Sequence, residues 1–235
     1  MAKKEVNYYA YNQWKTNLIN NVHPEDNTFE RGQWPNNEVI SYFISRFEVA
    51  AGMSEHAIST LFAHRPVGIN DDDYMYIKIS MLNDVYSTHL SSSEKDDIVT
   101  ILRNYIDRFS SENYDETLVQ DICNACGEQV GKVPYSFVTK YCSHQNENLY
   151  PIYDRYVVTM LRWYRDMRYN NGFNDFSFAE SSIKAEPEQY NAFRNVLVDF
   201  MRLFPGFTFK QMDMFLWSAG KNYFPIYVDK DIIPQ

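Results

Sequence analysis

The chain has 235 residues, with 22 Lys and Arg against 31 Asp and Glu, so its formal net charge is −9. Hydrophobic residues make up 45% and charged residues 23%, a composition typical of a globular protein rather than a disordered one. The acidic balance argues against broad electrostatic binding to nucleic acid or anionic lipid, although it leaves room for a local basic patch. Because the sequence has neither a run of about 18 apolar residues nor a signal-peptide pattern, we predict no membrane span. Three cysteines are too few for a disulfide framework and fit a reducing cytoplasm.

The spacing of apolar residues predicts helices along almost the whole chain. No stretch alternates in the manner of a β-strand bounded by hairpin turns. We therefore predict an all-α fold of about nine helices with short connections. Residues 1–35 are expected to form an N-terminal helix, over about 6–21, and a polar loop. Residues 36–235 are expected to form a single all-α domain, or two helical lobes with a cleft between them.

Capping residues and chain breakers place the predicted helices of the main domain. In chain order these helices cover about 36–52, 54–62, 71–86, 93–109, 118–126, 134–143, 154–163, 193–204 and 210–220. Gly52 is expected to end the first of them and Ser54 to begin the next. Ser91 and Asp154 are expected to cap two of the later ones.

The segment 135–157 predicts two short helices joined by a loop that ends in Tyr-Pro-Ile-Tyr-Asp. Pro151 holds the residue before it extended, and Asp154 stands where a helix cap belongs. Capping is one role for this carboxylate. It also faces the end of the preceding helix, where Lys140 and His144 lie four residues apart on one face. The alternative role is therefore in a site where a carboxylate, an amine and an imidazole converge.

Several segments resemble a family of uncharacterised bacterial proteins of about this length. They are LNDVYST at 82–88, the stretches 136–146 and 150–157, and FLWSAGK at 215–221. The resemblance extends over about residues 36–224. It implies membership of that family without implying a particular chemistry.

A more distant resemblance is to the helix-hairpin-helix DNA glycosylases. In that family a glycine-rich hairpin leads into a helix that begins with a nucleophilic lysine in the bifunctional members, and an aspartate opens the following helix. Asp154 and the three residues after it are similar to that aspartate segment. The position that matches the family's lysine is Ser136, and Lys140 lies one turn later on the same helix. The hairpin 127–133 keeps two glycines but lacks the tight Gly-x-Gly. The resemblance implies a glycosylase-like all-α core with Lys140 and Asp154 as its catalytic residues.

The chemistry implied by this resemblance begins with a lysine amine whose pKa is lowered in a dry pocket, so that it can attack sugar C1′ and form a Schiff base. A neighbouring aspartate can stabilise the developing positive charge or activate water. The target base must first leave the duplex stack and enter a pocket. The residues expected at this pocket, besides the catalytic pair, are Ser136, His144, Tyr153, Asn83, Tyr86 and Trp217. The alternatives are ordinary core packing for the aromatic residues and helix closure for the polar segment after position 82.

A row of arginines follows Asp154 on the predicted helix: Arg155, Arg162, Arg165 and Arg168. Arg155, Arg162 and Arg165 are the candidates for contact with a DNA backbone despite the negative net charge. The alternative is a solvated face whose arginines pair with nearby acidic residues.

The cysteines suggest a metal site only weakly. Cys123 and Cys126 form a C-x2-C pair, and Cys142 and His144 add two more potential zinc ligands. However, the pair lies within a helical pattern rather than on a knuckle turn, and a second C-x2-C is missing. A glycine-rich phosphate loop is missing as well. We therefore predict no metal, no cofactor, and buried free cysteines.

Three functional hypotheses follow. The first is a divergent DNA-glycosylase-like protein that acts in base excision or DNA binding, with DNA as its partner. The second is a catalytically inert protein-interaction module on the same fold, which the acidic surface would suit. The third is a small-molecule binder that uses an aromatic pocket around Trp217. Salt-dependent DNA binding would separate the first hypothesis from the other two.

Overall fold

A computed structural model describes residues 34–109 and 111–223 of the chain. These ranges contain the α-helices α1 (Asn37–Ala63), α2 (Asp71–Tyr86), α3 (Ser92–Arg103), α4 (Ile106–Phe109), α5 (Leu118–Gln129), α6 (Tyr135–Gln145), α7 (Arg155–Asn170), α8 (Tyr190–Arg202) and α9 (Phe209–Tyr223). Two short 3-10 helices, Glu180–Ile183 and Pro187–Gln189, lie between α7 and α8. No strand occurs within the two described ranges, which confirms the predicted all-α class. The helix predicted over 6–21 lies outside them.

Side-chain caps begin several helices where the sequence predicts them. Asn36 Oδ1 accepts a backbone N–H from the first turn of α1 at 2.9 Å. Ser91 and Glu94 form a reciprocal capping box at the start of α3. Asp154 caps α7, where its side chain accepts the Tyr156 N–H. Each cap satisfies a backbone donor that a helix N-terminus would otherwise leave without a partner.

The prediction that Gly52 ends a helix is wrong. The helix α1 runs without interruption from Asn37 to Ala63, and Ser54 lies in its interior instead of capping a second helix. A glycine inside a helix costs only about 1 kcal/mol relative to alanine. Burial of Phe47 before the glycine and of Ile58 after it offsets that cost, so tertiary packing decides the outcome.

A second boundary also differs from the prediction. The amphipathic segment expected over 93–109 breaks at Asn104 into α3 and the short helix α4. Backbone bonds of the tighter i→i+3 type close α3, with Asn104 N–H donating to Ile101 O at 3.0 Å. The short helix α4 then leads into the loop before α5.

Four helices and the start of a fifth surround one region of the interior. The last helix, α9, packs against both α1 and α7, and α6 contacts α1, α2 and α5. The approach of α9 to α7 is so close at Gly220 that an added Cβ would lie 2.8 Å from Tyr156 Cβ. The buried apolar side chains of the described residues form one contiguous core. Within the same ranges, we find no helix that combines the length and apolar character needed to cross a membrane.

Candidate functional site

Charged and polar side chains from five helical elements meet in the region enclosed by α1, α2, α6, α9 and the start of α7. We call this group the Lys140 cluster. Its members are Glu55, Tyr86, Lys140, His144, Asp154, Lys210 and Asp213. Buried charges are stable in a protein only when they are paired and hydrogen-bonded, so such a concentration is a candidate functional site.

Lys140 is the centre of the cluster. Its side chain, on α6, is only 4% exposed. The amine donates a 2.7 Å hydrogen bond to Ser136 Oγ one turn earlier, and its Nζ lies 4.0 Å from Asp154 Oδ2. Burial lowers the pKa of Lys140, and the negative charges of Asp154 and Asp213 counter that effect. The amine therefore combines a reduced proton affinity with nearby groups that can accept a proton.

Asp154 has two roles because its two oxygens have different partners. Oδ1 accepts the backbone N–H of Tyr156 at 2.8 Å and caps α7, while Oδ2 is the oxygen near Lys140. The extended segment before the cap is tied to α6, since the Tyr153 N–H donates to Thr139 Oγ1 at 3.3 Å. This tie places the start of α7 beside the helix that carries the lysine.

The pair lies just beneath the protein surface. The Asp154 side chain is 21% exposed, and Ser136, which accepts the hydrogen bond from Lys140, is an exposed residue. The Lys140 amine is therefore buried next to two residues that are partly open to solvent.

Asp213 contributes a second carboxyl group from α9. It is buried, and its Oδ1 has no hydrogen-bond partner. Burial raises its pKa to about 7, although the positive charges of Lys210 and Lys140 act in the opposite direction. Near neutral pH this carboxyl group is therefore present in both protonation states, so it can donate or accept a hydrogen bond.

A chain of hydrogen bonds forms the other half of the cluster. The Tyr86 hydroxyl lies 2.6 Å from Glu55 Oε1 and 2.9 Å from His144 Nε2. The second oxygen of Glu55 pairs with Lys210 from α9. Burial tends to raise the pKa of Glu55, but the Lys210 charge and these hydrogen bonds lower it below its ordinary value overall. Lys140 joins the two halves, because its Nζ lies 5.3 Å from the centre of the Tyr86 ring.

The structure places three of the expected pocket residues outside the Lys140 cluster: Asn83, Tyr153 and Trp217. Asn83 closes the turn after α2, where its Oδ1 accepts the Leu90 N–H at 2.7 Å. The Tyr153 hydroxyl donates to Ile183 O at 2.8 Å, and its ring lies 4.8 Å from that of Tyr135. These contacts are structural and belong to the alternative of ordinary packing.

The same alternative describes Trp217. Its ring lies against Phe47 of α1, with 5.3 Å between ring centres, and against Tyr156 of α7. Lys221 Nζ lies 4.0 Å above the ring. These contacts join α9 to its two neighbouring helices.

The arginines of α7 have acidic partners. Arg162 and Arg165 both pair with Glu180, and Arg168 pairs with Asp175. Arg155, at the start of the helix, is exposed. The arrangement matches the alternative of a paired, solvated face more closely than an open row of positive charge.

The three cysteines are all buried and free. Burial raises the pKa of Cys126 to about 12, and it raises that of Cys123 as well, so both are protonated thiols at neutral pH. Within 34–109 and 111–223, no three His, Cys, Asp or Glu side chains are grouped in a way that could hold a metal ion.

Sequence reasoning missed three members of the cluster: Glu55, Lys210 and Asp213. Glu55 was missed because the predicted break at Gly52 placed it at the start of a separate short helix. The signal for the other two was present, because Lys210 and Asp213 lie three residues apart in a helix that has a buried apolar face. Such polar residues on a buried helix indicate a functional or structural pairing.

Comparison with known proteins finds similarity in the first part of the chain. A family model described as HI_0787_N, N-terminal domain, matches residues 39–149. A relative from Haemophilus influenzae, named only "Uncharacterized protein", is 41% identical over 92 residues, which are 39% of this chain and 39% of the relative. The chain thus matches well under half the length of that relative. No solved structure shows a significant match.

The matched region confirms the predicted similarity to a bacterial family over α1 to α6. It contains Glu55, Tyr86, Lys140 and His144 but ends before Asp154. The segments at 150–157 and 215–221 lie beyond it. The Lys140 cluster is therefore built from both the matched region and the helices that follow.

Proposed function

We propose that the protein is a DNA-glycosylase-like enzyme of base excision, with Lys140 as the nucleophile and Asp154 as the carboxylate beside it. The observation that carries this proposal is a buried amine with a lowered pKa, 4.0 Å from the carboxylate of a helix cap. The neutral amine is the nucleophilic form, and burial increases the share of that form at neutral pH. The resemblance to helix-hairpin-helix glycosylases supports the role of Asp154, while Lys140 lies one turn after Ser136, the position that matches the family's lysine.

In the proposed reaction, the lone pair of Lys140 Nζ attacks C1′ of an extruded deoxynucleotide. The bond from C1′ to the base breaks, its electron pair goes to the base, and the base takes up a proton from water as it leaves. One proton of the attached amine then passes to the sugar ring oxygen as the ring opens, which gives a protonated Schiff base. Asp154 stabilises the positive charge that develops on the sugar, and it relays the proton from the amine to the ring oxygen.

The test is borohydride trapping, in which the reductant converts a Schiff base between protein and abasic DNA into a stable covalent adduct. The wild-type protein is expected to form this adduct with a duplex that contains one abasic site. Lys140→Ala is expected to abolish it. Lys78→Met is the matched control, because Lys78 is also a buried lysine with a lowered pKa but lies between aromatic rings. This control should form as much adduct as the wild type.

The proposal is wrong if the wild-type protein forms no adduct, or if Lys140→Ala and Lys78→Met form it equally well. In the second case the reacting amine is a different lysine. Loss of adduct in both variants would point to a damaged fold rather than to a nucleophile, and circular dichroism of each variant distinguishes that case.

A catalytically inert protein-interaction module is the second candidate function. It is favoured by the acidic partners of Arg162, Arg165 and Arg168, since paired arginines are less available to phosphates. Val49 and Met53, one turn apart on α1, are 91% and 92% exposed and give such a module an apolar contact surface. Wild-type protein that forms no adduct and binds DNA without salt dependence would favour this candidate.

A further inference from the structure

Among the described residues, the nearest hydrogen-bond partner of the Lys140 amine is a serine hydroxyl rather than a carboxylate. Nζ lies 2.7 Å from Ser136 Oγ and 3.4 Å from the backbone oxygen of the same residue. Asp154 Oδ2 is 4.0 Å away, which is beyond hydrogen-bond distance. Side chains on a helix lean toward its N-terminus, so a lysine reaches the residue one turn earlier. The helix α6 itself therefore holds the amine and the hydroxyl together.

The two members of this pair differ in their exposure to solvent. The Lys140 side chain is only 4% exposed, and burial lowers its pKa, which increases the share of the neutral amine at neutral pH. A neutral amine has a lone pair that can accept the serine O–H, whereas an ammonium group can only donate. Ser136 is exposed, so an electrophile can approach Oγ from outside. The pair thus combines a base shielded from water with an accessible hydroxyl.

Ser136 also lies at the start of a helix, where backbone donors are available. It is the second residue of α6, and within the described ranges no side chain caps this helix. The backbone bonds of α6 begin with the Val138 N–H, which donates to Pro134 O at 3.0 Å. The N–H of Ser136 precedes that bond and can donate to an oxygen on which negative charge develops. In serine proteases the N–H of the nucleophilic serine has this role.

We infer that Ser136 and Lys140 form a second catalytic pair that hydrolyses carboxylic esters, with Ser136 as the nucleophile and Lys140 as its general base. This activity goes beyond the base excision proposed above and uses the same amine in a different role. Esters are the substrate class that suits the pair, because an alcohol leaves with less help from an acid than an amine does.

The reaction has two steps. In the first, the hydroxyl proton of Ser136 passes to the lone pair of Lys140 Nζ while Oγ attacks the carbonyl carbon, and an electron pair of the C=O bond moves to its oxygen. That pair returns as the bond to the alcohol oxygen breaks, and this oxygen takes the proton from Lys140. In the second step, water gives a proton to Lys140 and attacks the acyl group. Ser136 Oγ then takes that proton as the carboxylic acid leaves.

The first measurement uses a fluorophosphonate, which labels a serine that a base has activated. The bond from Oγ to phosphorus forms, fluoride leaves, and the serine proton goes to Lys140. Peptide mass spectrometry should place the label of the wild type on Ser136. Lys140→Met removes the base at similar side-chain volume, and Lys140→Arg keeps a positive charge that cannot accept a proton. Each should slow the labelling at least about a hundredfold, the usual contribution of a general base.

A matched control lies within the same molecule. Ser80 Oγ accepts a hydrogen bond from Lys95 Nζ at 3.2 Å, and both residues are partly exposed. This pair has the same contact without a buried amine, so Ser80 should stay unlabelled. Equal labelling of Ser80 and Ser136 would overturn the inference, because a lysine contact alone would then account for the reactivity.

The second measurement uses p-nitrophenyl acetate. The wild type should release a burst of p-nitrophenol equal to the amount of protein, and mass spectrometry should find the acetyl group on Ser136. An acetyl group on Lys140 instead would show that the amine is itself the nucleophile toward esters, and the inference would be wrong.

The outcomes separate this inference from the proposed function. A wild type that traps abasic DNA but carries no label on Ser136 overturns the inference and leaves the proposed function standing. A wild type that is labelled on Ser136 but traps no abasic DNA rejects the proposed function and supports the inference. Labelling of Ser136 that neither Lys140 variant slows rejects Lys140 as the base. If the variants do not fold, the position of the wild-type label and the state of Ser80 decide the question.

Discussion

The structure buries two lysines in different ways. Lys78 of α2 lies between two rings, with its Nζ 4.3 Å from the centre of Tyr74 and 4.6 Å from that of Phe62. Burial lowers its pKa to about 8. Lys140 is also buried and has a lowered pKa, but a serine hydroxyl accepts its hydrogen bond and a carboxylate lies 4.0 Å away. Burial of an amine and a lowered pKa are therefore common to both regions.

The two lysines differ in the groups that surround their amines. Around Lys78 the neighbours are aromatic rings, which attract a cation but neither accept nor supply a proton. Around Lys140, three further helices bring groups that can accept or supply a proton, including Asp213 of α9 and the Tyr86 hydroxyl of α2. A lowered lysine pKa alone is thus a poor sign of a functional site in this fold. Proton-exchanging groups from separate elements are the distinguishing feature.

The largest expected effect is the loss of Glu55, which would test how strongly the Lys140 cluster depends on its charge pairs. Glu55→Ala leaves Lys210 without its partner, and the Lys210 side chain is only 11% exposed. Removing one member of a buried ion pair costs about 3–5 kcal/mol, because the remaining charge is not compensated. The free energy of unfolding in urea measures this change.

The matched control for Glu55 is an exposed ion pair. Asp199→Ala breaks the contact with Arg202, in which both side chains are more than half exposed, and should change stability by less than about 1 kcal/mol. If Glu55→Ala is as mild as this control, the cluster is not held by its charge pairs. A double variant, Glu55→Gln with Lys210→Met, should recover much of the lost stability.

We expect a smaller effect on stability from replacing Lys78, and here the substitution should stabilise the protein. Its pKa is about 8 in the folded protein and near 10.5 in the unfolded chain, so the folded state carries a disfavoured charge below about pH 8. Lys78→Met fills a similar volume without that charge and should stabilise the protein by about 1–2 kcal/mol at neutral pH, after allowance for the lost ring contacts.

The contribution of Lys78 to stability should change with pH in a defined direction. The unfolded chain binds more protons than the folded protein between about pH 8 and 10.5, so the wild type gains stability at Lys78 as the pH rises through that window. The advantage of Lys78→Met should therefore shrink toward pH 10.5. Paired urea titrations of the two proteins at neutral pH and at about pH 10 measure the difference. An advantage that grows with pH would contradict the explanation.

Sequence periodicity predicted most of the helices, because the helical spacing of apolar residues and the side-chain caps are local signals. It failed at Gly52, where packing of residues far apart in the chain, such as Phe47 and Trp217, holds one helix together across a weak position. Propensity at one residue could not reveal that contact.

The candidate site also contains residues that local patterns could predict and residues that depend on long-range packing. Lys140 and Asp154 could be placed together because a four-residue helical step and a capping position are readable from nearby residues. Glu55 and Lys210 are separated by 155 positions. Their pairing depends on how α9 packs on α1, and no local pattern encodes that arrangement. Sequence reasoning thus found Tyr86 and the cluster members within the segment 135–157, and it missed those on α1 and α9.

The smallest expected effect separates the two roles of Asp154 and sharpens the contrast between the lysines. Asparagine caps helices as well as aspartate does, so Asp154→Asn should change the free energy of unfolding by less than about 1 kcal/mol. It removes the negative charge 4.0 Å from Lys140, a charge that raises the pKa of this amine against the effect of burial. Lys140 should therefore lose its proton at a lower pH, and mass spectrometry of its acylation as a function of pH measures the shift. Asp154→Ala removes the same charge and also the cap, so it should shift Lys140 equally while costing about 1 kcal/mol more in stability. Lys78, which has no carboxylate in its ring environment, should keep the same acylation profile in both variants. Unchanged acylation of Lys140 in both would mean that the carboxylate only caps the helix, and Lys140 would then resemble Lys78 in its electrostatics.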